Sequence, residues 1–331
     1  MEERKKDHID MAFSSRTPKD TLDPRFDYEP MIGTHEQGEI SPFSFLGRML
    51  KVPMWVSSMT GGTGIARKIN LNLARACNEF GMGMGLGSCR ILLENPDHLP
   101  DFDMRPVIGD DLPLYANIGI VQLEDMILDK SWPRLVELVN MLRADGLIIH
   151  VNPIQEWLQM EGDILKHPPV QTIAEFLKLS RLKLIVKEVG QGMGPASISG
   201  ILDLPIEAFE LAAYGGTNFA RIELERNQAS LKDLYLPLAY VGETAGDMVN
   251  HINTIVTNKP GISCKQVIIS GGIRNFLDGY YLMSKCLLPS VFGQASNFLE
   301  VARGDYGELR TFVDAQIRGL RFARAFLRLK K

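Results

Sequence analysis

Gly146-Leu147-Ile148-Ile149-His150-Val151-Asn152-Pro153-Ile154-Gln155-Glu156 is the segment on which the fold turns. It opens as an apolar run without alternation, the pattern of a strand buried on both faces in a parallel sheet. The run then breaks into an imidazole, two amides and a carboxylate within seven residues. Outward from it the same unit recurs, a short apolar run ending in polar or glycine-rich residues and followed by a helical pattern. The runs are Met54–Ser58, Met82–Leu86, Leu114–Asn117, Gly146–His150, Leu184–Lys187, the weaker Phe209–Ala213, Val267–Ser270 and Ser290–Gly293. Helical windows alternate with them at Ile65–Phe80, Pro133–Ala144, Thr172–Arg181, Ala245–Val256 and Asn275–Cys286, with a last one at Glu308–Lys330. Eight such units predict an α/β fold, a (β/α)8 TIM barrel, since a doubly wound sheet would gather its chemistry at one switch point.

The 331 residues accommodate one barrel spanning 51–331 and an N-terminal arm over 1–50, in which Arg4–Ala12 reads as a short helix and Thr17–Ile40 as irregular. Charged residues at 23% and hydrophobic ones at 45% exclude a disordered chain. A net charge of −4 leaves no footprint for nucleic acid, and no apolar run is long enough for a membrane span. The charged opening lacks a secretory pattern, and Cys77, Cys89, Cys264 and Cys286 stand apart without metal-site spacing, so a cytoplasmic location is expected.

If the barrel is right, every strand ends in chemistry on one face. Ser270-Gly271-Gly272-Ile273-Arg274 leads into a helix, and Gln294-Ala295-Ser296 follows the next strand. Barrel enzymes often hold a phosphate between these two loops, on backbone N–H groups that no Cβ shields. A single glycine pair would more simply mark a tight turn; the paired location favours the phosphate. Lys187 ends the apolar Leu184-Ile185-Val186 and points into the mouth, where it serves a Schiff base, a phosphate or an electron-rich flavin edge. Glu156 is the candidate for a divalent cation, because Mg²⁺ is commonly held by one carboxylate with substrate phosphate oxygens and water. Gln155 carries no useful acid or base and is expected to orient. Arg4, Lys5 and His8 form a basic cluster that, taken alone, is a solvated tail. The arginines of the last helix read as a solvated face.

In order and spacing, these pieces resemble the type II isopentenyl diphosphate isomerases, FMN-dependent barrel enzymes of isoprenoid biosynthesis. The likeness runs from Arg4-Lys5-Lys6-Asp7-His8-Ile9 through Phe45-Leu46-Gly47, Ser58-Met59-Thr60-Gly61-Gly62, Ser88-Cys89-Arg90 and Ala116-Asn117-Ile118-Gly119. It continues through His150–Glu156 with Gln159, Glu161, Gly162 and Asp163, then Val186–Gly190, Gly215-Gly216-Thr217 with Glu223, and Ser270–Arg274. The resemblance implies that FMN is held by Ser58, Met59, Thr60, Ser88, Asn117, Lys187, Thr217, Gly271, Gly272, Ile273, Arg274, Ala295 and Ser296. It implies substrate diphosphate at Arg4, Lys5, His8, Ser88, Cys89, Arg90, His150, Asn152 and Gln155, and Mg²⁺ at Glu156. Gln155, Glu223, His150 and Lys187 take the catalytic positions, and the arm folds over the mouth to exclude water.

The reaction so implied is a 1,3-allylic proton shift between isopentenyl and dimethylallyl diphosphate on reduced FMN, with NADPH only reducing the flavin. The resemblance also suggests a homotetramer or larger assembly. The chain departs from the family pattern at Cys89, Asn218 and Gly194, and in the run Gly279–Ser290. Two other functions fit particular residues less well. A 2-hydroxy-acid oxidase wants a histidine in its H-G-x-R motif after the seventh strand, and Ser270–Arg274 has none. A non-catalytic flavin sensor would have no use for a basic arm with Gln155 and Glu156.

Overall fold

The computed structural model describes residues 2–35, 40–58, 64–159, 161–226 and 229–330. Eight parallel strands close a barrel: β1 Met54–Val56, β2 Gly83–Gly85, β3 Leu114–Gly119, β4 Gly146–His150, β5 Leu184–Lys187, β6 Ala208–Glu210, β7 Val267–Ile269 and β8 Ser290–Gln294. They pair in chain order and β8 returns to β1, with Phe292 opposite Met54. Unalternating burial, with every residue of β1, β2, β3, β5, β6 and β7 buried, reflects side chains packed inward in the barrel and outward under the helices. β4 and β5 match the sequence reading to the residue, whereas β6 begins one residue earlier and stops three short of Ala213.

The covering helices fall where the 3.6-residue pattern places them, at Gly64–Phe80, Pro133–Met141, Pro169–Leu179, Ala245–Asn258, Phe276–Lys285 and Tyr306–Phe326. The last helix stops short of the expected Lys330. Leu327–Leu329 leaves it as a strand that pairs antiparallel with Phe26–Tyr28. Among the described residues, no helix is long and apolar enough to cross a membrane.

The arm expected over 1–50 is three different things. Glu2–Met11 is helical as anticipated, and its described side chains, Arg4, Lys5 and His8 among them, stand in solvent. Asp23 to Tyr28 is fastened to the barrel's side, where Arg25 pairs with Asp278 at 2.7 Å. Phe43–Phe45 and Arg48–Leu50 form a hairpin around Leu46-Gly47, both at positive φ as a tight two-residue turn requires. This hairpin caps the N-terminal floor of the barrel, opposite the strand ends that carry the chemistry. Leu46 N–H donates to Gln266 Oε1 just before β7, and Phe45, Leu46 and Leu50 are buried. Residues 43–50 thus belong to the barrel's core, because an open barrel end would leave its apolar interior wet.

A charged clasp locks this floor. Asp145 accepts from Arg48 at 2.5 Å and from Arg105 at 2.8 Å, and Arg105 also donates to the carbonyls of Arg143, Gly109 and Leu112. Burial pushes the Asp145 carboxyl up, but Arg48, the Leu114 N–H and Arg105 together hold it below its ordinary range. Arg105 is 3% exposed, so its removal strands three carbonyls and takes one of two guanidinium partners from Asp145. Arg105→Ala is expected to cost about 3–5 kcal/mol, read as a lowered urea midpoint at unchanged slope; a loss under about 1 kcal/mol would show the clasp to be incidental.

Candidate active site

At the C-terminal face the strands divide into two arcs. β5 to β8 and β1 surround a cavity of about 110 Å³, open to solvent, that gathers Ser58, Lys187, Thr217, Gly271–Arg274 and Ala295–Ser296. Its floor between β6 and β7 is backbone against backbone. Gly271, at φ +86°, passes so close to Ala213 that a Cβ would sit 2.1 Å from that residue's N and O, which only glycine permits. Gly215 and Gly216 face Gly271 and Gly272 across the gap, leaving main-chain groups exposed to whatever fills it. Asn275 caps the following helix by accepting from Leu277 and Asp278 N–H, and Asp278 in turn accepts from Arg274 N–H at 3.0 Å, which fixes the loop. Ser57 and Ser58 carry buried hydroxyls without partners along this wall. A glycine cradle with unpartnered polar atoms suits a phosphate-bearing ligand.

The second arc, β2 to β4, carries the amides and carboxylates. Asn152 caps Pro153–Leu158 with its backbone while its side chain reaches forward, Nδ2 donating to Gln155 Oε1 at 3.0 Å and to Glu156 Oε1 at 2.9 Å. Gln155 Nε2 then donates to Glu223 Oε1 at 3.1 Å, which also accepts from Gln159 Nε2 at 3.0 Å, and Arg226 pairs with the other Glu223 oxygen at 3.0 Å. Glu223 comes from Phe219–Arg226 after β6, and apolar contacts among Leu158, Ala220 and Leu224 hold the two helices together. Glu156 Oε2 accepts from Asp163 N–H at 3.1 Å, and Asp163 accepts from Gln122 and, at 3.4 Å, from Arg90. Gly162 is required here, since a Cβ would meet the Glu156 carbonyl.

His150 and Lys187 join the arcs as paired residues on β4 and β5. Asn117 Nδ2 donates to the Leu86 carbonyl at 3.1 Å, so its Oδ1 is the acceptor facing His150 Nδ1 at 2.7 Å. That assigns the ring proton to Nδ1 and leaves Nε2 as an acceptor. Burial first, then the neighbouring Lys187 charge, pushes the imidazole down to about 3, so it is neutral at physiological pH. Lys187 is buried and donates to the Glu188 carbonyl at 2.7 Å. Glu188 takes three backbone N–H groups, those of Gly190, Gln191 and Gly192, yet burial still holds its carboxyl above the usual range.

Several expected site residues sit differently from the sequence reading. Asn117 is engaged at both ends and orients His150. Ser88 is exposed on the arc opposite the cavity. Cys89 is buried in the core with its thiol on the Gly87 carbonyl, and burial raises that thiol to about 12, so Ser88 and Arg90 are the side chains of this segment that reach solvent. Met59 and Thr60 lie outside the described residues. Three participants are given no role in the sequence reading, although Gln159 is quoted there. Gln159 and Arg226 can be found from their helical spacing to Gln155 and Glu223. Glu210, a carboxylate inside the apolar Ala208–Ala213, is visible as an anomaly of composition.

The site's donors fit both groups the resemblance implies. The glycine cradle and free serine hydroxyls suit FMN, and Asn152 Oδ1, buried without a partner beside Glu156, gives a cation a second oxygen. Among the described residues no cluster of three or more His, Cys, Asp or Glu is present, so a metal here would rely on substrate oxygens.

No family model matches the chain. It is 32% identical over 322 residues to the isopentenyl-diphosphate delta-isomerase of Rickettsia rickettsii, covering 95% of this chain and 90% of that one. The enzyme of the same name from Rickettsia akari is 34% identical over 261 residues, 78% of this chain and 72% of its own. Among solved structures, the flavin-binding domain of baker's yeast flavocytochrome b2 superposes with a TM-score of 0.61 at 13% identity, covering 91% of this chain and 72% of that one. A mandelate oxidase variant with a monooxide FMN adduct gives 0.57 at 12%, covering 93% and 88%. These two share the barrel architecture, and at such identities the likeness reaches no further than the fold. Kinship at a third of positions along nearly the whole length, with the His150–Glu156 segment folded into one network at the barrel mouth, establishes that the chain belongs to the isopentenyl-diphosphate delta-isomerases.

Proposed function

We propose that this protein interconverts isopentenyl and dimethylallyl diphosphate by a 1,3-allylic proton shift, holding FMN in the glycine-cradled cavity and Mg²⁺ at Glu156. The observation that carries this reading is the hydrogen-bonded chain Asn152–Gln155–Glu223, with Glu156 beside it, on the rim opposite a phosphate-sized cradle. Reduced flavin supplies an electron-rich face and an exchangeable proton for acid–base work on an alkene; the net reaction needs no oxidant, so NADPH serves only as reductant. In the substrate one proton is gained at the terminal alkene carbon and one lost from C2.

The chain's own residues bind, orient and shield. Gly271–Arg274 and Ala295–Ser296 hold the flavin phosphate on main-chain donors, and Lys187 balances negative charge at the mouth. Arg90, His150 and Asn152 receive the diphosphate, with Arg4, Lys5 and His8 of the arm closing over it once substrate is present. Glu156, with Asn152 Oδ1, would hold a cation that anchors the diphosphate at the mouth. Gln155 positions the allylic carbons, and Glu223, its charge matched by Arg226, faces the developing positive charge. We place the enzyme in the cytoplasm as a homotetramer or larger assembly.

The direct test is anaerobic. Protein, dithionite-reduced FMN, Mg²⁺ and isopentenyl diphosphate in D₂O, followed by NMR, should yield deuterated dimethylallyl diphosphate only while the flavin is reduced. No product from protein with reduced FMN bound would overturn the assignment. Glu156→Gln is expected to lose more than about a hundredfold in kcat/KM at saturating Mg²⁺ while retaining FMN; wild-type turnover would remove Glu156 from the metal role. Gln155→Ala and Glu223→Gln should each slow kcat by roughly 10²-fold or more with the bound-flavin spectrum intact, and full-rate variants would move the chemistry elsewhere. Because His150 is held neutral, with its group down at about 3 and its one proton on Nδ1 toward Asn117, Nε2 is an acceptor and meets the diphosphate through a bridging water. KM profiles of wild type and His150→Gln should therefore run parallel from pH 6 to 8, whereas a break seen only in wild type would show that bound substrate protonates the ring.

A further inference from the structure

Glu210 ends β6 with no exposed surface at all, and it lines the cavity. Its surroundings fix what each oxygen does. Ser270 Oγ accepts the Ala212 N–H at 3.0 Å, so its single proton points the other way, to Glu210 Oε1 at 3.0 Å. Glu210 Oε2 is buried and has no partner in the protein. Its strand-register partner on β5 is Lys187, whose ammonium is turned to the Glu188 carbonyl. The backbone here is held tightly. Ala212 sits at φ +41°, a conformation costly for a residue with a Cβ, and Ala213 is pressed against Gly271. A strained, close-packed strand end presenting a lone buried acceptor is a built feature, since an unsatisfied buried carboxylate oxygen carries a full desolvation penalty.

We propose that Glu210 is a cofactor-positioning residue: its free oxygen accepts a hydrogen bond from an O–H or N–H of the bound flavin, and its negative charge opposes that of Lys187. The cavity thereby has two chemically distinct ends. The Gly271–Arg274 cradle favours an anion, and the β6 end requires a donor and disfavours added negative charge. A flavin gains electron density on reduction, so Glu210 raises the cost of the reduced form and Lys187 lowers it. The balance between these two neighbours sets how readily the flavin is reduced.

The inference rests on FMN occupying this cavity, and the experiment separates the two. Wild type and Glu210→Gln are titrated with FMN by fluorescence quenching, and the midpoint potential of the bound flavin is taken by dye-coupled reduction. Uptake of FMN by wild type tests the flavin reading by itself. For Glu210→Gln the affinity ratio of reduced over oxidised FMN should rise at least about tenfold, a positive shift of about 30 mV for two electrons. Glu210→Met removes the charge with an apolar side chain of similar length and should move the potential in the same direction, so the test survives if the glutamine variant folds poorly. Oxidised FMN should bind more weakly to the methionine variant, which has lost the acceptor. A smaller change in the ratio, or one of opposite sign, in the folded variants overturns the proposal even when wild type binds FMN.

Discussion

Parallel register places His150, Lys187 and Glu210 in one row, each opposite the next on β4, β5 and β6. Strand ends of a barrel converge, so three ionisable side chains spaced by the interstrand distance must share one buried environment. A lysine there needs company that does not discharge it, and the row supplies a neutral imidazole on one side and a carboxylate on the other. The imidazole stays neutral for two reasons that act in the same direction, its burial and the charge of Lys187. Everything else at the mouth is arranged around this row. The cavity opens toward β6, β7 and β8, and the amide network extends from β4 over the outside helices.

That geometry explains a division of labour between the arcs. The β6–β7 side is built from backbone, with Gly271 packed on Ala213 where a side chain would not fit. Main-chain donors held by a rigid barrel cost little to organise and bind a phosphate without regard to what it is attached to. The β4 side is built from side chains, Asn152, Gln155, Glu156 and Glu223, each held by another. Such a network is specific but conditional, because withdrawing one member strands its neighbours. A permanent cofactor on the backbone side and an exchanging substrate on the side-chain side is the arrangement these two kinds of recognition favour.

Composition and short spacing make some of these features legible in the sequence. Leu184–Lys187 and Gly146–His150 stand out because an uninterrupted apolar run with a polar terminus is the pattern that a strand buried on both faces imposes. The end of β6 is hidden because Leu211–Ala213 stays apolar past the true strand end, and the turn there is set by close approach to Gly271, far away in the chain. Glu210 stands out in composition, but its role is hidden, because its partners Ser270 and Lys187 are adjacent only through the sheet. Cys89 and Asn117 look like ligands from their place in the chain, and the structure turns one into the core and ties the other to His150. The hairpin at 43–50 reads as arm because its strands are three residues each, too short for a periodic pattern, and its role lies in plugging a barrel end.

The anchoring of the N-terminal segment follows the same logic of neighbours. Arg25 pairs with both Asp23 and Asp278, and Asp278 also holds the Arg274 N–H of the phosphate loop. Residues 23–28 are thus fastened to the Gly271–Arg274 loop, while Glu2–Met11 stands exposed with a helix of little apolar character. A polar helix buries too little to offset the entropy of its own docking. The helix carries Glu2, Glu3, Asp7 and Asp10 beside Arg4, Lys5 and Lys6, so it offers neither an apolar face nor a net positive charge to dock with, and it is joined to the anchored stretch at 23–28 only through the residues between.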